Sequence, residues 1–255
     1  MNENLRTPGT FLRNVSLFNE LDEAGFRELE RLAQPAVVSR GGFVYAPRDP
    51  SDQVYFLRSG RLKISKLTPE GKEWILNLVE PGEMFGETSL AGENNRRDSA
   101  EALEDAAFCS VRRDAFLGLA GNNPALSLRL MRVMGERRRQ METRLEWVLF
   151  AGVQERLVDL LLDLGRRYGV PAPEGLALHI QLSQKEISQL IGSTRETTSS
   201  TLNQLRKGGL ILIKRRRLII RNLEHLERSR RNLTAGGKAP ALPHRTHHTP
   251  ATMGV

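Results

Sequence analysis

The chain has one cysteine, few aromatic residues and no long apolar run. A lone Cys109 in 255 residues excludes an intramolecular disulfide and any metal site or iron–sulfur cluster that needs several thiolates. No segment approaches the roughly 18 consecutive apolar residues needed to cross a bilayer. The opening, "MNENLRTPGTFLRN", has no apolar core of signal-peptide length. The expectation is a soluble protein in a reducing, cytoplasmic setting. Catalytic constellations are also missing: there is no Ser/His/Asp set, phosphate-cradling glycine loop or metal-ligand spacing. Asp159 and Asp163 stand one helical turn apart, but on an amphipathic helix they are expected to be solvated. Nothing points to an enzyme.

What is present is a localised positive charge. The net charge is +8, and residues 183–231 hold twelve Lys/Arg against four Asp/Glu, whereas residues 1–182 are close to balanced. A basic excess confined to one segment is the electrostatic footprint of a polyanion partner. A merely solvated basic surface is the plain alternative. An anionic membrane is disfavoured because the segment lacks an aromatic-rich amphipathic face.

With 39% hydrophobic residues the chain can bury a real core. From about residue 35 to 113 it reads as short strands punctuated by turns. "DQVYFLRSGRLKISKL" reads as a hairpin turning at Ser59-Gly60. "TPEGKEWILNLVEPGEMFGE" adds a turn at 69–71, a strand and a glycine-punctuated loop, and "AAFCSVRRDAF" a closing strand that carries Cys109 as a small core side chain. Together they predict a small sandwich or barrel. Asn123-Pro124 then marks a helix start. Met131, Met134, Met141, Leu145 and Val148 follow 3/4 spacing along a long helix, with Arg138 as the exception. Packing on its own domain is one use of that stripe. Heptad spacing over several turns favours a self-paired seam and hence a homodimer. "GVQERLVDLLLDLGRRYGV" predicts a shorter amphipathic helix, "PAPEG" a turn and "LALHIQL" a short strand. Beyond about residue 231 the Gly/Pro/Thr/Ala-rich chain predicts disorder. Its His244, His247 and His248 read as solvated rather than as metal ligands. The divisions are an arm (1–15), a β-rich domain (16–122), the long helix (123–150), a basic domain (151–225) and a tail (226–255).

The basic domain contains the most specific pattern. Ser183 and Glu186 form a capping box that starts a helix burying Ile187, Leu190 and Ile191. Gly192 ends it in the left-handed conformation. Ser193 or Thr194 caps a second helix, whose inner face is Thr198, Leu202 and Leu205 and which Gly208-Gly209 stops. About eight residues, a turn of three and a second helix is helix-turn-helix spacing. The front of the second helix is where side chains meet base edges in the major groove. Arg195 suits guanine and Glu196 the cytosine amino group. Ser183, Thr194, Thr197, Ser199 and Ser200 are short hydroxyl residues that let the backbone approach and bond phosphates or bases. The run "LILIKRRRLII" adds a hairpin whose tip, Lys214, Arg215, Arg216 and Arg217, is placed for phosphates. Double-stranded DNA is the expected partner.

The segments "YFLRSGRLKI", "PGEMFGETSL" followed by "RRDSAEA", and "LSQKEISQLIGSTRETTSSTLNQLRKGGLI" resemble the cyclic-AMP receptor and fumarate–nitrate regulator family of bacterial transcription factors, over residues 15–225. The resemblance implies an α+β chain: an N-terminal β-roll of the cyclic-nucleotide-binding kind, a long dimerisation helix and a C-terminal winged helix-turn-helix. It further implies a dimer on a pseudo-palindromic site that contacts RNA polymerase, usually as an activator. By position, Arg195 and Glu196 fall on the family's base-reading pair, while Ser200 stands where an arginine is frequent. In the roll, Gly86 and Glu87 match the ribose pair and Ser99 half of the cyclic-phosphate pair. Asp98 occupies the arginine slot, and Arg97 or Arg96 could substitute only from a neighbouring position. A carboxylate facing a phosphate at about 4 Å costs on the order of 4 kcal/mol at moderate dielectric. Met141 and Glu142 replace the pair that holds adenine. His179 lies too near the DNA-binding part to serve a haem in the roll. The expectation is a regulator with no cofactor and no dependence on cyclic AMP. The alternative is a regulator or signalling module gated by a cyclic nucleotide or another small ligand.

Overall fold

The computed structural model describes residues 11–214 and 217–234, so Arg215, Arg216, the outer arm and the three tail histidines lie outside the described residues. Two compact units divide between Glu136 and Arg137, inside the long helix. Each is described by itself.

The N-terminal unit begins with helix α1 (Glu23–Leu32), fixed at its start by the Asp22 carboxylate, which accepts from the Gly25 amide at 2.8 Å. Eight strands follow: β1 (Gln34–Val38), β2 (Phe43–Tyr45), β3 (Gln53–Ser59), β4 (Leu62–Leu67), β5 (Glu73–Val79), β6 (Met84–Phe85), β7 (Ser99–Ala102) and β8 (Ala106–Arg112). They form two four-stranded sheets, β1-β8-β3-β6 and β2-β7-β4-β5, with antiparallel neighbours. Period-2 alternation sends Leu57 and Phe108 of one sheet, and Leu62, Ile64, Ala100 and Ala102 of the other, into one core. The opposite face of the first sheet, with Val54, Phe56, Cys109 and Val111, packs on α1 and on α2 (Arg113–Asn122). This is the expected sandwich, and Cys109 is a core side chain.

The hairpin expected at Ser59-Gly60 is absent. β3 and β4 do not pair; they belong to different sheets, and Gly60 is the corner between them. Its φ is +79°, and a Cβ there would sit 2.5 Å from the Asp105 carbonyl oxygen. Only glycine turns so sharply against a backbone wall. The hairpin of this region is β4–β5, closed by the turn containing Gly71 at φ +77°.

Helix α3 runs Pro124–Phe150, with the Asn123 carbonyl accepting from the Ser127 amide at 3.1 Å, so the Asn-Pro start signal holds. In the C-terminal unit α4 (Val153–Tyr168) leads to β9 (Gly169–Ala172), β10 (Gly175–Leu178), α5 (Gln184–Ile191), α6 (Arg195–Lys207), β11 (Ile211–Lys214), β12 (Arg217–Ile220) and α7 (Leu223–Thr234). The strands form one sheet, β11-β12-β10-β9. β9 escapes a pattern reading because Pro171 within it and Pro173 just after it resemble a loop, yet an edge strand tolerates a proline. Helix α7 crosses the boundary set at residue 225. It docks on α4 through Leu226, fully buried, and Arg230.

The solvated reading of Asp159 and Asp163 is also corrected: they are only 6% and 7% exposed. The Asp159 carboxylate accepts from the Trp147 indole at 2.9 Å and from Arg230 Nε at 2.5 Å, and Asp163 pairs with Arg167 at 3.1 Å. Buried carboxylates persist where such partners neutralise them.

Candidate nucleic-acid interface and effector pocket

The DNA-reading element forms as its local chemistry dictates. Ser183 Oγ accepts from the Glu186 amide at 3.2 Å, and Glu186 Oε2 accepts from the Ser183 amide at 2.6 Å, closing the capping box. Gly192 takes φ +61° at the end of α5. Thr194, not Ser193, caps α6: its hydroxyl oxygen accepts from the Thr197 amide at 3.2 Å. Thr198, Leu202 and Leu205 face the core at 0–2% exposure. That leaves Arg195, Glu196, Thr197 and Ser200 exposed along the front of α6, with Ser199 half-buried beside them. The capping residues Ser183 and Thr194 are exposed as well.

β11 and β12 form the wing, pairing Lys214 with Arg217 at its described limit. Lys214 is held by the Glu174 carboxylate from the β9–β10 turn, and that hydrogen bond draws the Glu174 carboxyl below its usual range. The arrangement brings a reading helix and a cationic wing into one unit. Arg144 of α3 ties the same unit by donating to the Leu190 carbonyl at 2.8 Å.

Of the expected seam, Met131, Met141 and Leu145 are exposed at 71%, 46% and 55%. Met134 instead packs on the core of its own unit, and Val148 is half-buried. Leu128 and Leu149, spaced three and four residues from Met131 and Leu145, are exposed apolar residues that the sequence reading passed over. Arg138 and Glu142 lie between them and pair with each other at 2.8 Å.

In the roll the candidate pocket residues separate. Gly86 is buried with φ +71° and opens the 3-10 turn Glu87–Ala91. Arg97 points away, 74% exposed and paired with Glu93. Ser99 turns to the outer face of β7, where its hydroxyl lies 3.0 Å from that of Ser65. Neither residue faces the inter-sheet core with Ala100 and Ala102. Arg96 enters instead, 2% exposed. Its Nη1 donates to the Gly86 carbonyl at 2.8 Å, its Nη2 donates to the Gln53 carbonyl, and its guanidinium lies 4.3 Å over the Tyr45 ring. Arg96, Arg97 and Asp98 lie in the loop before β7, outside any strand, so alternation along the chain does not decide which of them turns inward. Tyr45 stacks on Tyr55, and Tyr55 on Phe85.

Asp98 lies in this neighbourhood, half-buried, with Oδ1 lacking a partner among the described residues. Burial, and then the Glu87 carboxylate, push its carboxyl above the usual range against the pull of Arg96. Burial, Asp98 and Glu87 likewise raise the Tyr45 phenol. The site is therefore lined by carboxylates with one resident guanidinium. On the outer face of the second sheet, Lys63 is buried between Glu101 at 2.9 Å and Glu73 at 3.1 Å.

No group of three or more His, Cys, Asp or Glu side chains able to hold a metal occurs among the described residues. No helix among them is long and apolar enough to cross a membrane. His179 is exposed and belongs to the C-terminal unit.

Residues 36–123 match the cyclic nucleotide-binding domain, and residues 155–229 the Crp-like helix-turn-helix domain. A CRP-like cAMP-activated global transcriptional regulator of Mycobacterium tuberculosis is 31% identical, over 86% of this chain and 98% of its own. A global nitrogen regulator of Synechocystis is 32% identical over 78% of this chain and 91% of its own. Among solved structures, a CRP-family regulator of Thermus thermophilus superposes with TM-score 0.68 at 25% identity, covering 82% of this chain and all of that one. These relatives are transcription regulators, not enzymes. With a roll that matches the cyclic nucleotide-binding domain, followed by a capped, outward-facing helix and a wing, the chain belongs to the CRP/FNR family of transcription regulators.

Proposed function

We propose that the protein is a homodimeric, sequence-specific regulator, acting in the cytoplasm, that binds a pseudo-palindromic DNA site and activates transcription by contacting RNA polymerase, without requiring cyclic AMP. The observation that carries this reading is the front of α6, where Arg195, Glu196, Thr197 and Ser200 stand exposed on a helix whose start is locked by Thr194. The apolar stripe of Met131, Met141 and Leu145 at heptad spacing, flanked by Leu128 and Leu149, supports self-pairing, because such a stripe of exposed apolar side chains favours a two-helix contact. Two-fold symmetry would set two reading helices about one turn of DNA apart, roughly 34 Å. Independence from cyclic AMP is supported by Asp98 and by the inward Arg96.

The test selects bound fragments from genomic and random duplex DNA, with and without cyclic AMP, and measures affinity in a salt series. A specific complex falls linearly in log affinity with log salt as lysines and arginines displace counterions. No preference for any fragment over random duplex would overturn the reading. A second reading, gating by cyclic AMP, is favoured by Gly86 and Glu87 and by the name of the mycobacterial relative. It requires cyclic AMP to raise the melting temperature and tighten DNA binding, a stabilisation of about 2.7 kcal/mol at a hundredfold excess over the dissociation constant.

A further inference from the structure

We infer that Arg138 and Glu142 exchange partners when two copies of the chain pair along α3, each arginine taking the glutamate of the other copy, and that this charged middle fixes the register of the pair. This rests on the self-pairing proposed above and adds the contact at its centre. Along α3 Met131, Arg138 and Leu145 recur every seven residues. Of the row on one side, Met134 packs on its own unit and Val148 is half-buried. The row on the other side, Leu128, Gly135, Glu142 and Leu149, shares the open face of the helix. Two such rows, offset by three and four residues, make a paired-helix seam. It is apolar at both ends, where Leu128, Met131, Leu145 and Leu149 are exposed, and polar between them.

Within one chain the two charges hold each other at 2.8 Å, on side chains 81% and 55% exposed. So exposed a pair contributes little, and the cation comes first, the weaker order within a helix. A parallel seam sets both DNA-reading units at the same end, and in it each side chain fits among four residues of the facing helix. Arg138 then lies between Gly135 and Glu142 of the second copy, and symmetry gives the reciprocal contact. Gly135 supplies the room. It stands inside a helix, where glycine is unfavourable, and a Cβ there would meet nothing within 4 Å in its own chain. Two arginines and two glutamates cancel in charge, and each gains a charge-assisted partner as the seam loses water. Sliding one copy by seven residues would set one arginine against Leu128 and Met131 with no carboxylate to meet it. The crossed pairs therefore select one alignment, at some cost in stability.

Charge reversals test this in the full chain, read by sedimentation equilibrium and native mass spectrometry. Arg138→Glu alone, or Glu142→Arg alone, should weaken the dimer about a hundredfold, because each sets like charges together in the seam. Exchanging both residues in one chain should return the affinity to within about threefold of the parent. The decisive sample mixes the two single variants. Each carries like charges along its own helix, yet together they complete both crossed pairs, so the mixed dimer should dominate over either self-pair. A pair confined to one chain gives no such preference. Parent-like dimers from the single reversals, or a mixture in the statistical proportion, would overturn the inference. Circular dichroism checks that the variants fold. If a reversal does not, Arg138→Gln takes its place: a dimer weakened about tenfold upholds the inference and parent-like pairing overturns it. A parent that stays monomeric at every concentration would sink the self-pairing reading, and the inference with it.

Discussion

Trp147, near the end of the long helix, donates its indole N–H to Asp159 of α4 at 2.9 Å. The other oxygen of that carboxylate takes Arg230 of α7 at 2.5 Å, and Glu155 supports Arg230 from 3.5 Å. Three helices of the C-terminal unit therefore meet on one buried charge. Asp159→Ala would take the nearer carboxylate from the buried Arg230, leaving it Glu155, and would leave the buried Trp147 indole N–H without its acceptor. A cost of about 3 kcal/mol is expected, the range for breaking a buried pair from one side. Denaturant unfolding followed by tryptophan fluorescence checks it, and Trp147→Phe, which loses only the donor, should cost about 1 kcal/mol.

Lys63 makes a second buried node, between Glu73 and Glu101. Burial alone would lower its pKa, but the hydrogen bonds that it donates to Glu101 and Glu73 outweigh it, and the ammonium titrates above its ordinary 10.5. A folded-state pKa raised above the unfolded value stabilises below the unfolded pKa and loses that contribution as pH rises through the folded one. Stability should therefore hold through neutral pH and fall only above about 10.5. Lys63→Met should cost about 3 kcal/mol by leaving two carboxylates together. Melting curves with and without a compensating Glu101→Gln would show recovery.

Asp98 has the opposite linkage. Its carboxyl is raised by burial and Glu87, so the folded state binds its proton more tightly than the unfolded chain does. Stability associated with this group is complete below the unfolded pKa, near 3.9, and declines as pH rises through the elevated folded value. Asp98→Asn should stabilise the protein at neutral pH by less than about 1 kcal/mol for a half-buried group, read as a raised melting temperature. The advantage should vanish near pH 4.

Arg195 and Glu196 are exposed at the front of α6 and free of any structural task in its core. Replacing both with alanine should leave the stability within about 0.5 kcal/mol of the parent. Base discrimination should drop by about 1–3 kcal/mol for each lost contact, while the salt slope from phosphate contacts largely remains. Competition between the selected fragment and random duplex measures this directly.

The parts legible in the sequence were those governed by neighbours in the chain. Ser183 with Glu186, Gly192, and Thr194 before Arg195 each act within four residues, so the reading element was visible before any coordinates. The corner at Gly60 was not, because a hairpin and a sheet-to-sheet turn share the same glycine and flanking strands; only pairing with β8 and β7 distinguishes them. Asp159 was misread for a similar reason. The partners of Asp159, Trp147 and Arg230, lie 12 and 71 positions away, so helical periodicity carries no trace of them, whereas Asp163 pairs with Arg167 one turn along the same helix. The inward turn of Arg96 was not legible either, because residues 96–98 form a loop in which strand alternation does not hold.

The lone thiol has a consequence of its own. Cys109 sits on the central strand β8, 1% exposed, and burial raises its thiol further from the reactive thiolate. An alkylating reagent can reach that sulfur only when the sandwich parts, so the pace of labelling becomes a clock for how often the roll breathes. Reagents that modify surface thiols within seconds should leave the intact protein unmarked for far longer, and anything that tightens or loosens the roll should be readable as a change in that delay.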